Sequence, residues 1–305
     1  IRNLAVGMQS LEANTTGSSN VAVGNSALFA NTTASNNTAV GYASLNANTT
    51  GHENSALGRN SLAANTTGQH NTGTGDSVLA STTTGSYNTA FGSAALYNNT
   101  TASNNTAVGY SVLLTNTTGS ENTGLGHNAL YGTTTGTGNT GIGQGALQTN
   151  TTGATNTAVG QGSLALNTTA SDNSAFGKNA LAANTTGAGN VAVGRSSLTA
   201  NTTGASNVAV GALALDANTT ASSSVAVGNG ALGANTVGSY SVAIGFSALA
   251  AQNPASASAS FNTAVGTEAG KAVTTGIQNT LIGALAGDAI TTGSQNTSLG
   301  YASLG

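Results

Sequence analysis

The stretch SNNTAVGYASLNANTTG at residues 35–51 is followed at 52–68 by HENSALGRNSLAANTTG, and the two align without a gap. With the glycine of TAVG as column zero, glycine recurs every 17 residues from Gly7 through Gly41, Gly58, Gly109 and Gly160 to Gly245. A step of 21 leads to Gly266, and 17-residue steps resume to Gly283 and Gly300, giving eighteen copies with one four-residue insertion. A fixed period of this kind marks a solenoid, in which one repeat cannot bury its own faces and stacked neighbours do so together.

Seventeen residues are too few for a helical-pair repeat, and the Gly, Asn and Thr in each copy are poor helix formers. Short strands remain. The residue before each column-zero glycine is Val, Leu, Ile or Phe in seventeen copies, with Thr74 the exception, and the residue two before that is Val, Thr, Ser or Leu. Those two share a strand face, so they are expected to form one wall of the core. Leucine four residues after the glycine, present in sixteen copies and including Leu45 and Leu62, is expected to form the facing wall. The intervening Ala or Gly column would then be a smooth outer surface open to a neighbouring sheet or subunit. Asn before each strand, as at Asn20 and Asn37, and the NTTG segments that hold Asn48 and Asn65, supply turn chemistry and can bond to their own copies as amide ladders do.

The fold read from this pattern is all-β: a parallel β-solenoid, or β-roll, of about eighteen 17-residue coils. At about 4.8 Å per coil the stack would form a rod. Residues 1–249 are the regular solenoid. The segment AAQNPASASASFN at 250–262, with the sole proline Pro254, is an insertion loop expected to protrude, and 263–305 are three further coils of variant consensus continuing the same rod. Gly270 and Gly287 stand there in the leucine column.

Composition removes several function classes. Glycine is 43 of 305 residues, only 4% are charged, and there is no Trp or Cys, which is unlike a conventional globular enzyme. A net charge of −3 with five Lys and Arg provides no basic patch, so nucleic-acid binding is not expected. Absence of Cys removes a disulfide framework and a thiolate metal site. No apolar run reaches the length of a membrane span, so no membrane insertion is expected in this segment. The chain begins without Met, and both termini fall in mid-coil, as expected for a segment of a longer chain. One proline and a strict period argue for order rather than disorder.

Chemistry is sparse as well. His52, His70 and His127 are read as isolated surface residues separated by whole coils, and no Ser-His-Asp or paired-carboxylate set recurs. The expectation is no catalytic residue, no cofactor and no metal. GTGNTG at 136–141 satisfies a dinucleotide pattern but has no helix to follow it. The NTT triplets form N-glycosylation sequons, for which the turn explanation suffices.

Variety is confined to a few columns. All thirteen charged residues lie five before the glycine, or one, two or five after it, and the seven tyrosines sit at minus five, plus one and plus five. These columns face solvent or a partner. They are either simply the solvated positions or a recognition strip, since tyrosines on a rigid support can stack on sugar rings. The candidates for binding are Tyr42, Arg59, Tyr110, His127, Lys178 and Arg195.

SVAVG at 224–228 and SVAIG at 241–245 resemble the head repeats of trimeric autotransporter adhesins of the YadA type, and similar repeats occur in phage tail-fibre proteins. The resemblance implies a left-handed β-roll, three chains side by side as a homotrimer, and extracellular display on a cell or virion surface. The expected function is a non-enzymatic fibre or adhesin segment that attaches to a cell-surface glycan or receptor. Two alternatives stay open: a self-assembling structural filament, coat or matrix protein, and an ice-binding solenoid using threonine columns such as Thr15, Thr32, Thr49 and Thr66.

Overall fold

Each TAVG copy forms one three-residue strand, in a computed structural model that describes residues 2–257 and 259–305. The chain divides into two compact units, Ile1–Thr152 and Gly153–Gly305. In the first, the strands from β1 (Leu4–Val6) to β9 (Thr140–Ile142) are parallel, each paired with the next at a shift of 17 residues, as in Ala22 opposite Ala39 and Ala39 opposite Ala56. The second repeats the arrangement from β10 (Thr157–Val159) to β18 (Thr297–Leu299). Each unit is a parallel β-solenoid, and the described residues contain no helix.

The faces of the strand are the reverse of the sequence expectation. The central residue is the buried one: Ala22, Ala39 and Ala90 are fully inaccessible, whereas Leu57 is 51% and Phe91 42% exposed. The large β-branched and aromatic residues point outward and the alanine column is the inner wall, so no smooth outer face exists. The reason is the narrowness of the coil. Leu28, Leu45 and Leu62 are fully buried, and the leucine of one wall reaches across to the other. A Cβ built on Gly141 would lie 3.0 Å from Leu130 Cγ, and one on Gly73 would lie 2.8 Å from Ser61 Oγ and 3.1 Å from Val78 Cγ1. Little more than a methyl group fits.

Those leucines are placed by an uncommon backbone. Leu28, Leu45 and Leu62 have φ of 50°, 49° and 53°, in the left-handed region that costs L-residues about 1–2 kcal/mol each. Complete burial offsets this, as do bonds between coils: Leu28 N donates to Ser44 O and Leu45 N to Ser61 O, both at 3.0 Å. Column-zero glycine is required for two separate reasons. Its φ is 134° at Gly41, which side chains rarely adopt, and a Cβ on Gly7 would sit 2.6 Å from the carbonyl oxygen of Gly24 in the next coil.

The expected amide ladders are present. Asn48 Nδ2 donates to Asn31 Oδ1 at 3.0 Å and Asn65 Nδ2 to Asn48 Oδ1 at 2.8 Å, while each also donates to a carbonyl in its own turn. A second ladder precedes the strand: the backbone N–H of Asn37 donates to Asn20 Oδ1, and that of Asn54 to Asn37 Oδ1, both at 2.9 Å. Thr49 Oγ1 adds a bond to Thr66 O at 3.0 Å. The buried amide nitrogens of Asn48 and Asn65 are thereby satisfied. Asn31, Asn48 and Asn65 are sequon asparagines that are fully buried with their amide nitrogens engaged, so a glycan there is incompatible with the fold. Threonine replaces asparagine in the ladder at Thr82 and Thr133; Thr82 Oγ1 still accepts from Asn99 Nδ2 at 3.3 Å, but the buried Oδ1 atoms of Asn65 and Asn116, one coil earlier, have no partner.

The insertion lies between β15 (Val242–Ile244) and β16 (Thr263–Val265), which still pair in register, Ala243 opposite Ala264. Gln252 takes a ladder position, donating to Ser241 Oγ and accepting from Asn262 Nδ2. Pro254 is buried, residues 255–257 are exposed, and Ser258 within the expected loop lies outside the described residues. In the variant coils Leu281 occupies the alanine column and fills the space left by Gly270 and Gly287; a Cβ on Gly270 would be 2.6 Å from Leu281 Cδ1.

Two stability measurements test this account. Thr82→Asn, which supplies the missing donor to Asn65, is expected to raise the unfolding free energy by about 1 kcal/mol in guanidinium denaturation. Gly270→Leu restores the consensus leucine yet is expected to destabilise by about 1–3 kcal/mol through overpacking, and Leu281→Ala in the same chain should recover much of the loss.

Candidate functional site: a tyrosine-lined groove

The strongly turned glycine at column zero carries the chain out of the strand, so the residue after it projects outward: Tyr42 is 58% and Tyr110 56% exposed. The residue that follows the buried leucine lies on the outside too, as at Tyr97. In the first unit these two columns meet. Tyr97, Tyr110 and Tyr131, from three consecutive coils, line an open groove of about 740 Å³ together with Asn98, Asn128 and Gln148. Ala94, Ser111 and Leu114 complete the lining.

The groove is stiffened from its edge. His127 stacks on Tyr110 with ring centroids 5.4 Å apart and planes within 11°, so the tyrosine ring is held by a neighbour one coil along. Asn128 contributes a buried Oδ1 that has no hydrogen-bond partner in the protein. The lining therefore combines flat aromatic surfaces with amide donors and acceptors. Such groups stack and hydrogen-bond. The volume lies within the range of small-ligand sites.

The six residues singled out by sequence do not form one site. Tyr110 and His127 belong to the groove. Tyr42 and Arg59 are exposed elsewhere in the first unit, and Arg59 is committed to Asp76 one coil on, with Nε to Oδ1 at 2.7 Å and a second bond at 3.1 Å. The hydrogen bond from Arg59 holds the Asp76 carboxyl below its ordinary pKa. Lys178 and Arg195 are exposed in adjacent coils of the second unit. Sequence reading placed Tyr97 and Tyr131 in a solvent-facing column but missed their convergence, along with Asn98, Asn128 and Gln148; the signal was a spacing of 13 between Tyr97 and Tyr110, one coil less four residues. The histidines are not isolated: His52 and His70 have ring centroids 5.4 Å apart, because 18 residues is one coil plus one.

No protein-family model matches the chain, and neither does any curated protein. Among the described residues no helix is long and apolar enough to cross a membrane.

Asp76 provides a pH test. A depressed folded-state pKa stabilises above the unfolded value, near 3.9, and that contribution is lost as pH falls through the folded value. Carboxyl NMR titration is expected to place Asp76 below an ordinary aspartate, and Arg59→Gln should return it upward.

Proposed function

We propose that this chain is a non-enzymatic, extracellular fibre or adhesin segment that binds a cell-surface glycan at the tyrosine-lined groove. The observation that carries the reading is the convergence of Tyr97, Tyr110 and Tyr131 with three amide side chains on hydrogen-bonded coils. Sugar rings offer flat C–H faces to aromatic rings and hydroxyls to amides, and tyrosine provides such contacts at low entropic cost. The coil-to-coil bonds hold these residues in place, so little ordering is required on binding.

Self-association belongs to the same proposal. The outward face of the strands carries Val, Leu, Ile and Phe instead of the expected alanines, and in the second unit Val191, Val193, Val208, Val210, Val225 and Val227 place two valines per coil on it. An apolar stripe of this kind suits a second copy of the same chain, whose residues repeat at the same spacing. The left-handed winding and side-by-side homotrimer follow from the resemblance to YadA-type heads and tail-fibre repeats. The same stripe favours the second reading, a filament or matrix subunit without a receptor.

Sedimentation over a hundredfold concentration range separates the two. A fixed trimer, dissociated by Val193→Asp and Val210→Asp with strand content retained, is the expected result; mass that grows with concentration would favour the filament. On a glycan array, Tyr110→Ala and Tyr131→Ala should each weaken binding at least tenfold. Absence of any glycan bound by the unaltered protein would overturn the adhesin reading.

A further inference from the structure

Outside the groove, one cluster of side chains has the composition of a ligand site. His52, Glu53 and His70 come from two adjacent coils of the first unit, and one ligand atom from each lies within 4.8 Å of the others. His70 Nδ1 is 2.9 Å from Glu53 Oε2, and His52 Nδ1 is 3.9 Å from Glu53 Oε1, so the two imidazoles approach opposite oxygens of one carboxylate.

The fold holds this arrangement before any ligand arrives. Glu53 and His70 occupy the minus-five column with φ of 58° and 56°, the conformation nearly every residue of that column adopts. The backbone N–H of His70 donates to His52 O at 3.2 Å, and that of Glu53 to Ser35 O at 3.2 Å, which ties the coils together at this point. The His70 ring is further stacked on Tyr87 of the next coil, with centroids 4.8 Å apart and planes within 12°. All three side chains remain a third to a half exposed, which leaves an entry path and room for water.

We propose that His52, Glu53 and His70 bind a divalent transition-metal ion, zinc being the best match. Two imidazoles and one carboxylate form a donor set suited to zinc, with a fourth position left to water. Bond lengths of about 2.0–2.1 Å require donors roughly 3.3 Å apart in a tetrahedron; the imidazole nitrogens stand 2.9 and 3.9 Å from the two oxygens of the one carboxylate, and one donor atom from each residue lies within 4.8 Å of the others, so the three side chains need to draw together on binding. The ion would clamp two coils and stabilise the folded chain by mass action.

The test is calorimetric titration of zinc chloride into the tag-free full chain, with magnesium chloride as the hard-cation control. Only three histidines and no cysteine are present, so competing sites are few. His52→Ser and His70→Asn use residues that the same columns carry at Ser35, Ser86, Asn36 and Asn104, which keeps the fold intact, and circular dichroism checks it. Expected are one zinc per chain, at least a tenfold loss of affinity in each variant, no loss in His127→Ala, no heat with magnesium, and a melting temperature raised by zinc only in the unaltered protein. No zinc binding, or affinity unchanged in His52→Ser and His70→Asn, would overturn the proposal.

Discussion

The approach of one glycine to the next governs this structure. At column zero the carbonyl of each coil sits where a side chain of the preceding coil would have to be, and the backbone there takes a φ that other residues avoid. Coils can stack this closely only if every one of them turns at the same place. That requirement fixes the period, and the period brings residues 17 apart into register, so a favourable choice in one coil is repeated against its own copy. The ladders of Asn and Thr follow from it, as does the alignment of the outward valines.

A thin core is the second consequence. With leucine spanning the interior from one wall, the opposite wall holds little more than methyl groups, and volume is conserved between neighbours. Gly73 stands against Val78, Gly124 against Val112, and Leu281 against Gly270 and Gly287. Departures from the consensus in the last coils are thus paired exchanges across the core and leave strand register unchanged.

Much of the fold was legible because stacking turns local chemistry into a visible period: the strands, the burial of Leu45 and Leu62, and the ladders through Asn48 and Asn65 were all readable. Strand polarity was not. Hydrophobicity favours Val40 over Ala39 for the interior, but a three-residue strand has only one inward position, and the reach of the leucine across a narrow coil decides which residue fits it. The candidate sites were harder for a related reason. Tyr97 and Tyr110, or His52 and His70, become neighbours only when coil spacing is combined with the offset between columns, and no single column displays that.

The asparagine ladder through Asn48 and the threonine bonds beside it also have direction. Asn31 donates back to Asn14 and Asn48 back to Asn31, whereas Thr15 donates forward to Thr32 and Thr49 forward to Thr66. The donors of the two ladders therefore point in opposite senses along the stack. A cut through the stack would expose amide acceptors and hydroxyl donors on one surface and their complements on the other. Such surfaces match head to tail and leave like groups facing each other head to head, so the coil is a vectorial template that accepts a further coil in one orientation.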